Sequence, residues 1–80
     1  MREIKTATGK VFMTDMVAEN PSPRRLYIRI IGSKMSEVAA AFEDPAEAAK
    51  LTYGPAVYTG YTLLSIVVEG GAIRITMKKE

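Results

Sequence analysis

The chain has 80 residues, 48% hydrophobic and 25% charged, a composition typical of a single small globular domain spanning residues 1–80. It contains no cysteine and no histidine, which excludes disulfides, thiolate nucleophiles, metal sites built on those residues, and the Ser-His-Asp and Cys-His catalytic mechanisms. A net charge of +2 is compatible with nucleic-acid binding but too small to indicate it.

The first predicted element is a β-hairpin over residues 2–17. Apolar residues flank a turn at residues 7–10, where Gly9 supplies the positive φ that such a turn requires. Residues 18–24 follow and contain two prolines, which cannot donate hydrogen bonds to a sheet. We therefore expect an exposed loop at residues 18–24.

The next predicted element is a strand over residues 26–31, where β-branched and aromatic residues alternate with other types. The alternation places Tyr27 and Arg29 on one face of the strand. The apolar residues of the opposite face are Leu26, Ile28 and Ile30.

Helical spacing replaces the alternation at residues 34–43, where Ser33 is the expected N-cap. The apolar stripe of this helix consists of Met35, Val38, Ala41 and Phe42. A proline after Asp44 ends the helix, and residues 44–50 favour one more helical turn. In that turn Asp44 can cap and Glu47 can reach back to the cap.

The last third of the chain is predicted to contain a terminal hairpin. Residues 51–58 surround a Gly-Pro pair and are compatible with either a short edge strand or a loop. Residues 61–68 are apolar on both faces, which is typical of a strand in the middle of a sheet. The two-glycine turn at residues 69–72 leads into an alternating strand at residues 73–78.

Together these elements predict an α+β fold, with a mainly antiparallel sheet of five or six strands and one principal short helix after the third strand. A ten-residue helix is about 15 Å long and about 10 Å wide, whereas five strands span about 24 Å. One helix cannot cover both faces of such a sheet. The sheet is therefore expected either to curl into a barrel-like form or to be covered by another chain.

Two sets of residues are candidate binding groups. Tyrosine offers rigid contact area with a polar tip, and the proposed protein-contact residues are Tyr27, Arg29, Tyr53, Tyr58 and Tyr61. Basic residues interleaved with an aromatic ring are typical of single-strand nucleic-acid binders, and this alternative rests on Arg24, Arg25, Arg29 and Lys34. The alternative for each set is a purely structural role, in which the tyrosine rings pack at the edge of the core and the arginines lie on a solvated rim.

The acidic cluster of Glu43, Asp44 and Glu47 is the candidate for acid–base chemistry. Helix capping accounts for Asp44 and Glu47, so we expect no catalytic, cofactor-binding or metal-binding residues. An enzyme would instead require a pocket holding a carboxylate of raised pKa.

Residues 26–30, 35–45 and 61–66 resemble small uncharacterised proteins encoded in prophages and phage-like elements of gut Firmicutes, and the resemblance extends over most of the chain. It implies a structural role in a virion or tail, with no catalytic residues. We therefore expect a non-catalytic assembly module that forms a homo-oligomer or binds a larger structural protein. The alternative is a nucleic-acid-binding accessory protein.

The charged start of the sequence, residues 1–5, lacks the apolar region of a signal peptide. No apolar run approaches the length of a membrane span. These features lead us to expect a cytoplasmic protein, or a virion-associated one if it derives from a phage, that does not bind a membrane.

Overall fold

A computed structural model describes residues 2–79 and contains one seven-stranded sheet with two short helices. The strands are β1 (Arg2–Lys5), β2 (Val11–Pro21), β3 (Arg24–Ile31), β4 (Lys50–Tyr53), β5 (Ala56–Thr59), β6 (Thr62–Glu69) and β7 (Ala72–Lys78). Between β3 and β4 lie α1 (Met35–Phe42) and α2 (Pro45–Ala48). The predicted α+β class with a mainly antiparallel sheet is confirmed. No helix in this described part of the chain is long and apolar enough to cross a membrane.

The sheet is open but strongly curved. Its strand order is β5-β4-β1-β2-β3-β7-β6, so β5 and β6 are the two free edges. Only Gly60 and Tyr61 connect these edges, which holds the end of β5 within about 11 Å of the start of β6. Seven strands laid flat would separate the edges by about 29 Å. Bulges between Thr14 and Met16 and between Leu63 and Ser65 add curvature.

The core fills the concave side of this sheet, and the two helices cover it. Phe12 on β2 and Phe42 on α1 pack with their ring centroids 5.7 Å apart. The buried cluster contains Ile4, Phe12, Leu26, Ile28, Ile30, Val38, Ala41, Phe42, Ala48, Leu51, Tyr61, Ile73, Ile75 and Met77. Because the sheet is curved, two short helices are sufficient to cover its concave side. The convex face carries no helix.

The strand prediction is wrong in number and in one connection. Seven strands form instead of five or six, because residues 51–58 make the short hairpin β4–β5. Residues 18–24, predicted as a loop, instead continue β2 to Pro21 and turn at residues 22–23 into β3. Pro21 lies at the last paired position of β2, where its missing N–H costs little.

The helical part differs from the prediction in its bounds and in one cap. Helix α1 occupies residues 35–42 of the helix predicted over 34–43, and α2 occupies residues 45–48 of the further turn predicted at 44–50. The N-cap of α1 is Lys34, which makes no side-chain cap bond, so the expected cap at Ser33 is wrong. Asp44 does cap α2, since its carboxylate accepts a hydrogen bond from the Ala46 amide at 3.0 Å.

Candidate functional site

The structure divides the five predicted protein-contact residues between two sides of the sheet. Tyr27 and Arg29 lie on the convex face of β3, opposite in direction to the buried residues of that strand. The three remaining tyrosines belong to the concave side and its rim, where Tyr53 and Tyr58 pack against the core and Tyr61 is part of it. The five residues therefore do not form one continuous surface.

Tyr61 is fixed between the two sheet edges. Its ring lies 6.4 Å from that of Tyr58 in an edge-to-face arrangement, and the Lys79 ammonium lies 5.7 Å from its centroid. The Tyr61 hydroxyl donates a 2.5 Å hydrogen bond to the Glu19 carboxylate. The pKa of Tyr61 is raised to about 12. Burial is the largest cause, and the hydrogen bond to Glu19 is the next. A tyrosine held in this way is a packing residue rather than a free contact group.

The four predicted nucleic-acid residues are also separated. Arg25 and Arg29 share the convex face of β3. Arg24 turns to the other side, where it lines a shallow recess with Glu19 and Tyr61. Lys34 lies past the opposite end of β3, directly before α1. Only two members of the predicted set can therefore contact one ligand on the convex face.

Pairing of β3 with β7 adds two cations that the sequence analysis missed. Arg74 lies directly across from Arg29, and Lys78 lies across from Arg25. We call these four residues the convex basic row. Like charges placed directly opposite in a sheet are destabilising. Two such pairs concentrate positive charge on the convex face.

Acidic neighbours partly neutralise the convex basic row. The Arg29 guanidinium lies 3.6 Å from the Asp15 carboxylate, and that of Arg74 lies 3.1 Å from the Glu69 carboxylate. All four side chains of these pairs are at least one-third exposed, so the pairs are weak and can exchange for a ligand anion. The row is open to an anionic partner on this account.

Strand β6 is an edge of the sheet, and the prediction that it lies in the middle is wrong. It forms a hairpin with β7, and β7 takes the inner place beside β3. The eight residues of β6 contain no proline, and Glu69 at its end carries the only charge. Three of its hydrophobic side chains are well exposed, namely Leu64 (48%), Val67 (47%) and Val68 (63%).

The other edge differs from β6 in length. Strand β5 has four residues, of which Val57 is an exposed hydrophobic. Natural sheets protect their edges with short strands, charges, prolines or bulges. Strand β5 is protected by its shortness. The bulge at residues 63–65 protects only the first part of β6, so residues 66–68 form an unprotected apolar edge before the charged Glu69.

Glu47 has a role that capping did not predict. Its carboxylate accepts hydrogen bonds from the Thr6 hydroxyl at 2.9 Å and the Thr8 hydroxyl at 2.5 Å, and it pairs with the Lys10 ammonium at 3.2 Å. The Thr8 hydrogen bond is the main reason that the pKa of Glu47 is lowered to about 2, with Thr6 and Lys10 also lowering it and burial opposing them. Glu47 therefore ties α2 to the β1–β2 turn.

This carboxylate is the opposite of the group that an acid–base enzyme would require. A general acid needs a raised pKa, which burial without donors produces, whereas Glu47 is surrounded by donors. Among the surfaces that residues 2–79 leave exposed, two are candidate binding surfaces: the free edge of β6 and the convex basic row. Comparison of the chain with protein-family models, curated proteins and solved structures finds no significant match.

Proposed function

We propose that this protein is a non-catalytic assembly module that associates through the free edge of β6. The observation that supports the proposal is the composition of that edge, which is apolar, almost uncharged and free of proline. Such an edge presents a row of unpaired main-chain groups to which another strand can add. A strand that bonded there would also cover Leu64, Val67 and Val68.

The size of the domain supports the same function. A domain of 80 residues buries only about 60% of the surface that its unfolded chain exposes, a smaller share than larger domains bury, and no disulfide supplements its core. Association would add both buried area and stability that depends on concentration. We extend the proposal to the structural role in a virion or tail that the sequence resemblance implies, and place the protein in the cytoplasm or on a virion accordingly.

The test combines association with strand addition. Sedimentation velocity over a hundredfold concentration range should show species above the 8.8 kDa of one chain. A short uncharged peptide of alternating valine and threonine should bind and protect β6 amides from hydrogen exchange. Val67→Lys should weaken both effects at least tenfold, since a lysine on the edge opposes strand addition.

The matched control is Val57→Lys, an equally exposed valine on the short edge β5. This variant should associate and bind the peptide as the original chain does. A chain that stays monomeric at every concentration and binds no strand peptide would show the proposed function to be wrong. Equal weakening by the two lysine variants would show that the association does not use β6.

A second candidate function is binding of single-stranded nucleic acid on the convex face. The specific observation is the convex basic row, in which Arg29 faces Arg74 and Arg25 faces Lys78, with Tyr27 between them on the same face. A sheet face that combines cations with a half-buried aromatic ring such as Tyr27 can neutralise phosphates and stack a base. The row replaces the predicted set, since Arg24 and Lys34 lie elsewhere.

The test is a titration of labelled single-stranded DNA and RNA. Four phosphate contacts predict that the affinity falls about 50-fold between about 50 and 200 mM salt. Arg74→Ala should reduce the salt dependence, whereas Lys34→Ala, which removes a lysine outside the row, should leave it unchanged. No binding at the lower salt concentration would eliminate this function.

A further inference from the structure

The free edge of β6 has the composition that a partner strand for β6 would need. We propose that its partner is a second copy of this chain, and that the two β6 strands pair antiparallel about a two-fold axis at Ile66. This inference rests on the proposed association through β6 and adds the identity of the partner and the register of pairing.

The terminal hairpin determines which main-chain groups of β6 are free. Its turn residues Gly70 and Gly71 have φ of 57° and 81°, as a two-residue type I′ turn requires. The residues flanking such a turn form a hydrogen-bonded pair, and such pairs alternate with non-bonded ones along the ladder. Counting back from the turn, Ile66 and Val68 direct their N–H and C=O groups away from β7.

The helices determine how much of this edge is accessible. Thr62 and Leu63 line a recess together with Phe42 and Pro45, so the start of β6 lies against α1 and α2. Leu63 is half-buried, whereas Leu64, Val67 and Val68 are 48%, 47% and 63% exposed. The accessible segment is therefore residues 64–69, and Ile66 is close to its centre.

A two-fold axis at Ile66 gives a register that covers the exposed hydrophobics. Leu64 of each copy then lies opposite Val68 of the other, and Val67 lies opposite Ser65. Each of the three exposed hydrophobic side chains meets an uncharged neighbour across the new pair. Cross-strand apolar pairs of this kind are the main source of stability between adjacent strands.

The composition of β6 selects a second copy over other strands. A charge opposite Leu64 or Val68 would lose its water without gaining a partner, so the added strand must be uncharged over about five residues. Strand β6 is itself such a strand from Thr62 to Val68. Antiparallel pairing also keeps the two Glu69 carboxylates about 20 Å apart along the strands. The two-fold arrangement closes at two copies and leaves no further β6 edge.

Disulfide trapping tests the partner and the register together, because the chain has no cysteine of its own. Antiparallel neighbours have Cα atoms about 5.5 Å apart, within the range that a disulfide spans. Mild oxidation of Ile66→Cys should therefore produce a covalent dimer at least tenfold faster than oxidation of Val57→Cys on β5. Val67→Cys, like Val57→Cys, should form the covalent dimer slowly, since Val67 of one copy is displaced by two residues from Val67 of the other.

Ile66 is half-buried, so the folding of the variant is first checked by circular dichroism. Concentration-dependent protection of the Ile66 and Val68 amides in the unmodified chain gives a second measurement that needs no substitution. Rapid trapping of Val67→Cys but not Ile66→Cys would overturn the register. A chain that binds the valine–threonine peptide but remains monomeric would overturn the second copy as partner and leave the proposed function intact.

Discussion

Thr14→Val is expected to destabilise the protein because Thr14 holds the bulge that curves β2. Its side chain is fully buried, and its hydroxyl oxygen lies 2.6 Å from the Arg29 carbonyl oxygen and 2.9 Å from that of Met16. The same oxygen accepts a 3.2 Å hydrogen bond from the Met16 amide. One hydroxyl proton serves one carbonyl at a time, so valine removes one donated and one accepted bond.

Valine has nearly the volume of threonine, so the cost comes from unpaired polar groups and not from a cavity. Each buried group left without a partner costs about 1–3 kcal/mol, and two such groups lower the free energy of unfolding by about 2–6 kcal/mol. In a domain of this length each kcal/mol lowers the Tm by about 4–8 °C. Thermal and urea unfolding, followed by circular dichroism at one fixed protein concentration, measure the loss.

Two matched variants separate the hydroxyl from the rest of the side chain. Thr14→Ser keeps the hydroxyl and removes a methyl group, and should lose less stability than Thr14→Val. Thr52→Val alters a half-buried threonine that makes no side-chain hydrogen bond within residues 2–79, and should change stability by less than about 0.5 kcal/mol. A larger loss for the serine variant than for Thr14→Val would refute the role assigned to the hydroxyl.

Two further predictions concern pH. Because hydrogen bonding lowers the pKa of Glu47 from 4.5 to about 2, its contribution to stability should be complete above pH 4.5 and disappear as the pH falls toward 2. Urea unfolding should therefore separate Glu47→Gln from the original chain at pH 7 but much less at pH 2, with the exposed Glu43→Gln as control; an equal difference at both pH values would contradict this. Because the pKa of Tyr61 is raised to about 12, its contribution should be complete below pH 10 and disappear as the pH rises toward 12. Tyr61→Phe should lose this alkaline sensitivity, measured against Tyr27→Phe on the convex face, and an unchanged alkaline profile would disprove the assignment.

Local patterns in the sequence predict most of the elements correctly. Alternation identifies β3 and β7, and the glycine turn of residues 69–72 identifies β6 as the hairpin partner of β7, because each signal depends on residues close in sequence. The prolines misled the prediction at residues 18–24, since Pro21 lies at the last pair of a strand, where no donor is needed. Pairing with β3 extends β2 as far as Pro21, and the local composition does not indicate this pairing.

Most of the candidate sites depend on contacts between distant parts of the chain. Arg29 and Arg74 lie on two strands that the sequence predicts, but only the β3–β7 pairing brings them opposite one another. The role of Glu47 depends in the same way on Thr6 and Thr8, about forty residues earlier in the chain. A capping pattern was sufficient to explain Glu47 locally, so nothing in the sequence signalled the longer contact.

The predicted position of β6 is wrong, but the sequence pattern behind that prediction is informative. A strand that is apolar on both faces is typical of the middle of a sheet, yet in a single chain β6 is at the edge, because β7 occupies the place beside β3. In the proposed two-fold pair, β6 becomes the seventh strand of a continuous sheet of fourteen, with strands on both sides. The composition of β6 is then appropriate to its position. The conflict between the pattern of β6 and its place in the monomer, which involves these same exposed side chains, is thus a physical reason to expect that the edge is covered.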